Sequence, residues 1–528
     1  MRNYCIACLT ALLLIVACHP ANAQLRVVTY NTLDKPFTAT DRTQVRTIFD
    51  AIATTPRNGI AKRPDIIGLQ EQRTTGPGES TASIIADELN LLYGVTTYET
   101  LLSGSGNDLV AAVYDSATVS LSSATQVFAG GPRPTRRVEF QPVGYSSDDA
   151  SLYTYISHLK AGSSSSDRDT RATETDRIRD NADALGPGQN IVYLGDLNMR
   201  SFETAYGNLQ SPGNGQAFDP LGLGSWPNSG VAIHLTQSTR STSLADGGAS
   251  GGLDDRFDLQ LVTESLLDGE GLSYIGPTST GLSGLEHSNQ AFGNDGVSYN
   301  TRINNTLVGR SQSSTVINAL HNFSDHLPVI VDYQLPAVLG FEIDPVPLTL
   351  TLGESFDLGV SITNDADVVA TAGADELDYT LVSSGDVSGD TSGMLAALSA
   401  GDLFNVSLDT SSVGMKSGLL TFATSSQAAE NAFVEVPILY EVISALLAAD
   451  FNGDGTVDLL DLDILGANFG GPGDAMTGDA NADGTVDLLD LDILGSQFGQ
   501  SAATSVPEPT SLVLVAMTVA GLASRRPV

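Results

Sequence analysis

Apolar residues in the first two thirds of the chain come in short β-branched runs that lead to polar side chains. Leu25-Arg-Val-Val-Thr-Tyr leads to Asn31, and Asp65-Ile66-Ile67-Gly68-Leu69-Gln70 leads to Glu71. An alternating stretch over 151–157 leads to His158, and Ile191-Val192-Tyr193-Leu194-Gly195 leads to Asp196 and Asn198. Runs of this length and composition predict buried strands. Further strands are expected over 109–114, 117–128 and 256–262. The region closes on Phe323-Ser324-Asp325-His326-Leu327-Pro328-Val329-Ile330-Val331. Helical spacing predicts helices over 41–54 (Val45, Ile48, Phe49, Ile52) and 81–91, and a polar, arginine-bearing helix over 168–185. Stretches 199–250 and 268–320 are rich in Ser and Gly and read as long loops, which are uncommon without function or disorder.

The polar residues at these strand ends form a set: Asn31, Glu71, His158, Asp196, Asn198, Asp325 and His326. A layered fold gathers strand ends at one rim. In an extended segment Asp196 and Asn198 point the same way. A carboxylate and an amide so placed can orient a water or a metal and donate to a developing oxyanion. Clustered carboxylates suit Mg²⁺ or Mn²⁺, and histidines suit proton transfer or contact with a phosphoryl oxygen.

From about residue 337 the pattern changes. Residues 345–440 are nearly free of Lys and Arg, and short alternating runs recur at 348–352, 356–362, 378–382, 404–408, 418–424 and 432–440. Turn residues separate them, which predicts a β-sandwich of immunoglobulin-like type. It carries no catalytic constellation and reads as a spacer or a carbohydrate or surface-contact module. Residues 450–499 then repeat with an offset of 29. Oxygen side chains fall at Asp450, Asn452, Asp454, Thr456, Asp458 and Asp461, and again at Asp479, Asn481, Asp483, Thr485, Asp487 and Asp490, with Gly455 and Gly484 at the sharp turns. That spacing describes a Ca²⁺ loop followed by a helix. Without metal such an acidic module should fold poorly.

Charge narrows the partners. Among 528 residues, 25 Lys and Arg face 62 Asp and Glu, a net charge of −37. Such a chain repels nucleic acid and anionic membranes unless a local basic patch or bound cations intervene. Arg133, Arg136 and Arg137, and Lys160, Arg168 and Arg171 near His158, are either phosphate contacts or a solvated edge; no aromatic residue interleaves with them. Cys5, Cys8 and Cys18 all lie in an N-terminal segment with Arg2, an apolar stretch and Ala21-Asn22-Ala23 before Gln24. This predicts a cleaved export signal. Lipidation at Cys18 is the alternative.

Six motifs in order, Thr-Tyr-Asn31, Leu-Gln-Glu71, Ser-His158-Leu-Lys, Gly-Asp196-Leu-Asn198, Arg-Phe-Asp258 and Ser-Asp325-His326-Leu-Pro, resemble the endonuclease/exonuclease/phosphatase (DNase-I-like) superfamily over residues 25–334. The resemblance implies an α+β fold: a four-layer α/β-sandwich, here followed by a β-sandwich and a small dockerin-like helical calcium module. It implies that Asn31, Glu71 and Asp325 bind Mg²⁺ or Mn²⁺. Asp196 would orient or deprotonate the attacking water, and Asn198 would hold that geometry. His158 would bind the scissile phosphate, and His326 would stabilise the phosphorus centre or act as acid and base. Asp258 would pair with His326, with Asp255 a rival. Where some members carry an acidic residue two positions after the asparagine, this chain has Leu33, with Asp34 next.

The repeat is similar to a dockerin, although both loops carry Leu-Leu where cohesin-binding dockerins often carry polar residues. The tail, Ser505-Val506-Pro507-Glu508-Pro509, an apolar run and Arg525-Arg526, resembles a PEP-CTERM sorting signal. The expected organisation is a signal peptide at 1–23, the enzyme-like domain at 24–336, the β-sandwich at 337–447, the dockerin-like repeat at 448–500 and the sorting tail at 501–528. The expected function is a secreted or surface-sorted, metal-dependent phosphodiesterase, an endonuclease on extracellular nucleic acid. Its partners would be a cohesin-like or cell-surface protein and the sorting machinery. A phosphatase or lipid phosphodiesterase, or a calcium-dependent surface adhesion protein with an inactive enzyme-like domain, are the other readings.

Overall fold

The structure, a computed structural model, describes residues 24–226, 228–277, 287–444 and 447–501. The expected signal peptide with its cysteines, and the expected sorting tail from residue 502, lie outside the described residues.

The apolar runs build two sheets. The first has the order Ser273–Tyr274, Val329–Gln334, Leu25–Asn31, Ile66–Gln72, Leu109–Asp115, Tyr98–Leu102, and Gln290–Ala291 also pairs with Val329–Gln334. The second has the order Asp258–Val262, Ile191–Asp196, Leu152–His158, Thr135–Pro142, Val119–Val127. Strand alternation produces the layers. Leu25 and Val27 face an inter-sheet core with Ile66, Val110, Ile156, Val192 and Leu194. Val28 and Tyr30 face the opposite way, among residues of the helices Ala39–Thr54 and Ser314–Phe323. In Ile191–Asp196, Ile191 and Tyr193 likewise join the outer core with Ile178 and Ala182 of the helix Ser165–Asp183. The result is helices, sheet, sheet, helices. At the inter-sheet contact a Cβ on Gly68 would lie 2.1 Å from Leu194 Cδ1, so glycine permits the close approach.

Caps set the helix starts. Thr38 with Asp41, and Ser164 with Asp167, form capping boxes, so two helices begin a few residues before the expected 41 and 168. The stretches read as long loops contain ordered elements. Thr204–Gln210 lies in one, and Ser314–Phe323, capped by Ser313 and burying Ile317, Leu320 and Phe323, lies in the other. Thr135–Pro142, which carries Arg136 and Arg137, is a strand that the apolar pattern did not mark.

One directional expectation is corrected. Asp325 and His326 precede Val329–Gln334, so they do not follow an apolar strand, while Asp258 opens its strand within the expected 256–262. These two strands run antiparallel to Ile191–Asp196 and Leu25–Asn31. Their beginnings therefore meet the others' ends at one edge.

Residues 339–443 form two further sheets, one built on Leu339–Ile343, Asp357–Asn364 and Asp402–Leu408, the other on Leu377–Gly385, Gly414–Thr424 and Phe433–Ile443. They share a core of Leu358, Val360, Tyr379, Val406, Phe422 and Tyr440. This part is packed onto the first. Val368, Ala374 and Ala397 belong to the same core as Leu272, Tyr274 and Leu335. Asp375 Oδ2 accepts from Gly271 N at 2.8 Å, and Tyr145 Oη donates to Pro336 O at 2.7 Å. The expected boundary at 336/337 thus falls in packed chain.

After residue 447, helices Leu459–Asn468 and Leu488–Gln497 close on Phe451, Val457, Leu465, Val486 and Leu494. Among the described residues no helix is long and apolar enough to cross a membrane.

Candidate active site

Parallel strands bring their last residues to the shared edge, and antiparallel strands bring their first. In register, Asp196 lies opposite His158 on one side and Asp258 on the other. From the first sheet, Asn31 Nδ2 donates to Glu71 Oε1 at 3.0 Å and to Asp196 Oδ2 at 3.1 Å, bridging the two sheets. His158 Nε2 stands 3.4 Å from Asp196 Oδ2. Glu71, His158 and Asp196 each offer a ligand atom, all within 4.8 Å of one another. Asp325, expected with Glu71, sits instead beside Gln237 and Ala249, its Oδ2 accepting from Ala249 N at 2.7 Å. Its buried Oδ1 has no hydrogen-bond partner.

His326 is buried against Asp258, with Nδ1 to Oδ2 at 2.7 Å. Asp255 is held by Arg200 instead, with Nε to Oδ1 at 3.1 Å, so the structure pairs His326 with Asp258. Burial pushes the His326 imidazole down. The carboxylates of Asp258, Asp196 and Asp325 outweigh it and hold the ring well above its ordinary value. The Gln237 side-chain amide lies 2.6 Å from His326 Nε2. Ser324 Oγ accepts from His326 N and donates to Asn31 O, joining the two halves of the rim.

The backbone is bent where these groups are displayed. Glu71 (φ 58°) and Asn198 (φ 49°) occupy the left-handed region, which costs non-glycine residues on the order of 1–3 kcal/mol. Glu71 lies in an irregularity of the pairing between Leu69 and Gln72. The strand stops at Asp196, so the expected extended Asp196–Asn198 pair does not form. Asn198 turns back, its N–H on Asp196 Oδ1 and its Nδ2 donating to Leu159 O at 3.3 Å. Gly195 (φ 139°) is required, because a Cβ there would lie 1.9 Å from Ser157 O.

Three contributors, Asp108, Gln237 and Glu203, were missed in the sequence. Asp108, on a Gly- and Ser-rich loop, places Oδ1 3.1 Å from His158 Nδ1. Burial alone would raise the Asp108 carboxyl. The hydrogen bond and charge of His158, with Arg133, bring it below the ordinary range. Gln237 comes from the stretch read as loop. Arg171 and Glu203 form a buried pair at 2.7 Å, and Arg171 Nη1 also donates to the carbonyls of Lys160 and Gly162. That pair ties the segment after His158 to the segment after Asn198.

The basic residues divide accordingly. Arg171 is structural and faces protein. Arg133 is held by Asp108 and Leu159 O, Arg137 donates to Asn181, and Lys160 meets Asp167 at 2.7 Å. Arg136 is half-buried on its strand and Arg168 is exposed. Asp34 receives no metal-like company. Its N–H donates to Glu71 Oε2, and its carboxylate meets Arg73 at 3.3 Å.

In the acidic repeat the carboxylates turn onto loop amides. Asp450 accepts from Gly453, Asp454 and Gly455, and Asp479 accepts from Asp483 and Gly484. Asp461 and Asp490, fully buried, accept from Phe451 and Asn452 and from Ala480 and Asn481. Asp458 and Asp487 cap the helices, and Asp454 and Asp483 hold Thr456 and Thr485.

Residues 505–526 match the PEP-CTERM protein-sorting motif. No curated relative matches the chain by sequence. Among solved structures, the chain is similar to D. rerio TDP2 complexed with single strand DNA product, at 13% identity over 59% of this chain and 100% of that one, TM-score 0.35. It is also similar to an endonuclease/exonuclease/phosphatase from Bacteroides vulgatus, at 13% identity over 60% and 100%, TM-score 0.35. A third is the human Nocturnin catalytic domain with bound sulfate anion, at 14% identity over 59% and 95%, TM-score 0.34.

Proposed function

We propose that residues 24–336 are a divalent-metal-dependent phosphodiesterase of the endonuclease/exonuclease/phosphatase type, acting on nucleic acid outside the cell. The observation that carries the reading is the convergence, from both sheets, of Asn31, Glu71, His158, Asp196, Asp258 and His326 on one edge. Glu71, with Asn31 bonded to it, would hold a small divalent cation beside Asp196 and His158, the ligand atoms of the three lying within 4.8 Å of one another. Bound Mg²⁺ or Mn²⁺ would polarise a phosphoryl oxygen and offset the charge of the carboxylates.

The chain's own groups divide the remaining work. Asp196, fixed by Asn31 and the Asn198 N–H, orients a water and accepts its proton as the water oxygen attacks phosphorus. His158, aimed by Asp108, holds a phosphoryl oxygen. His326, oriented by Asp258, delivers a proton to the leaving oxygen as the P–O bond breaks. Asn198 keeps the turn after Asp196 closed.

The remaining segments complete the reading. Residues 337–447 serve as an immunoglobulin-like spacer or surface-contact module. Residues 448–500 are a dockerin-like pair of Ca²⁺ loops using Asp450, Asn452, Asp454, Thr456, Asp458 and Asp461 and their counterparts 29 residues on. Exposed Leu459, Leu460, Leu488 and Leu489 on that module support a protein partner of apolar character, cohesin-like or on the cell surface. The signal at 1–23 and the tail at 501–528 support export and surface sorting.

The test is hydrolysis of bis(4-nitrophenyl) phosphate by the full chain, stripped with EDTA and then given Mg²⁺ or Mn²⁺ alone. A panel of DNA, RNA, an inositol phosphate and a sphingolipid follows. Turnover that returns with metal and extends to DNA or RNA supports the reading. Turnover confined to the inositol phosphate or lipid moves it to another substrate of the same chemistry, and no turnover of any member leaves the adhesion reading.

A further inference from the structure

His326 has two ring nitrogens, and in this structure both are taken. Nδ1 faces Asp258 Oδ2 at 2.7 Å, and Nε2 faces the side-chain amide of Gln237 at 2.6 Å. Whichever end the amide presents, NH2 or oxygen, it fills the one direction in which Nε2 can donate or accept. The ring is buried, so it has little room to turn elsewhere. The segment that supplies Gln237 is fixed by its backbone. Gln237 N donates to Asp255 O at 3.0 Å, and Asp254 N and Asp255 N donate back to Gln237 O at 2.9 Å. Leu327 N donates to Thr236 O at 2.9 Å, and Thr236 Oγ1 accepts from Asp258 N at 3.2 Å. One segment is thus joined to the two that carry Asp258 and His326. Thr236 and Ser238 are buried, while the Gln237 side chain between them is partly open to solvent. That side chain can swing away without breaking the backbone bonds that hold its segment.

We propose that Gln237 is a positioning residue for the reaction: its amide caps His326 Nε2 in the empty site, and the leaving oxygen of the substrate displaces it. The proposal rests on the phosphodiesterase reading above, in which His326 delivers a proton to that oxygen. With Nδ1 committed to Asp258, the transfer runs through Nε2, and the leaving oxygen must come within about 2.6–3.2 Å of it. The amide already stands at that distance, in the place the oxygen needs. Both cannot be there together. Displacement leaves little behind it. Gln237 Nε2 also lies 3.2 Å from Asp325 Oδ2, but that oxygen keeps its bond from Ala249 N at 2.7 Å. The cost of moving the amide is therefore about that of one net hydrogen bond, and it falls on substrate binding, not on the chemical step. Water that replaced the amide would be tied to no segment, so a substrate would remove it more easily.

The experiment uses full-length chains with Gln237, Gln237→Ala and Gln237→Asn, each first shown to be folded by its Trp226 fluorescence transition. With bis(4-nitrophenyl) phosphate and Mg²⁺, Gln237→Ala is expected to lower KM about two- to twelvefold, the range of one net hydrogen bond, with kcat within about twofold of the parent. Gln237→Asn keeps the amide but shortens its reach, and is expected to fall between the two. A side chain that only supported the ring would instead lower kcat when removed. A second measurement needs neither turnover nor metal. It is the rate at which diethyl pyrocarbonate modifies His326, read by mass spectrometry of the peptide that carries it, and it is expected to rise by about twofold or more in Gln237→Ala. A KM that does not fall in Gln237→Ala overturns the proposal, as does a kcat that drops about tenfold or more, or an unchanged modification rate at His326. Failure of the parental chain to turn over the diester counts against the phosphodiesterase reading, and the modification rate still decides whether Gln237 caps His326.

Discussion

His326 Nδ1 lies 2.7 Å from Asp258 Oδ2, and both side chains are buried at the floor of the rim. Breaking such a pair leaves one buried charge alone, at a cost of about 3–5 kcal/mol. His326→Ala is therefore expected to lose thermal stability together with turnover. Asp196→Asn keeps the shape of its side chain and is expected to lower kcat by about 10²–10⁴-fold with little change in Tm. Steady-state kinetics beside calorimetry check both. A near-parental kcat in Asp196→Asn would end the proposed role of that carboxylate.

Asp108 positions His158 without reaching the centre of the rim. Asp108→Asn keeps a group that can still meet the ring nitrogen, whereas Asp108→Ala does not. The expected order of kcat/KM is parent, then Asn, then Ala, with about tenfold or more lost in Ala. Equal values for Asn and Ala would mean that Asp108 serves only to hold Arg133.

How far the sequence foretold the site can be argued residue by residue. Asn31, Glu71, His158 and Asp196 were legible because each ends a β-branched run, and burial selects such runs strongly. Asp258 and His326 were legible as motifs, but their place at strand beginnings was not, since hydrophobic pattern carries no strand direction. Asp108 and Gln237 left no periodic trace. Their segments are held by long-range contacts, such as the pairing of Gln237 with both Asp255 and His326. The helix Ser314–Phe323 was hidden inside a stretch of Ser, Asn and Gly, although Val316, Ile317, Leu320 and Phe323 do keep helical spacing. Glu203 could not be matched to Arg171 from sequence, because the two are 32 residues apart.

The junction between the first two parts contains a pH-sensitive group. Burial, with help from the charges of Glu270 and Glu376, pushes the Asp375 carboxyl up to about 6, although Gly271 N and Glu376 N donate to it. An unfolded aspartate ionises near 3.9. The folded state thus keeps the proton over a window in which the unfolded state releases it, and stability at this junction falls as pH rises from about 4 to about 6. Above that the penalty is constant. Asp375→Asn is expected to flatten the dependence of Tm on pH between about 4 and about 6. An unchanged slope in calorimetry over that range would contradict the assignment.

Cutting the chain at residue 336 removes Val368, Ala374 and Ala397 from the core that covers Leu272, Tyr274 and Leu335. Residues 24–336 alone are expected to unfold at a Tm lower by roughly 5 °C or more, since each lost kcal/mol shifts a domain of this size by about 2–4 °C. Trp226, the single tryptophan, is buried in this part and reports the transition by its fluorescence. An unshifted transition would make the junction an ornament.

Calcium should act at a distance from the rim. Adding Ca²⁺ to the full chain is expected to protect residues 448–500 from proteolysis, EDTA to remove that protection, and Asp454→Ala with Asp483→Ala to abolish it. Cleavage patterns indifferent to Ca²⁺ would dismiss the metal loops.

The strand Leu25–Asn31 begins near the junction, where Gln24 meets Val369, and ends at the rim. At about 3.3 Å per residue it is a strut roughly 20 Å long. Residues 337–500, which hold 27 Asp and Glu and a single Lys416, are attached at its base. If the chain is held by its C-terminal end, the acidic part lies along the chain between the tether and the strut, and the rim lies at the strut's other end. Under the proposed function, the negative charge of that part would repel a polyanion at the base of the strut and leave the rim as the end it can approach.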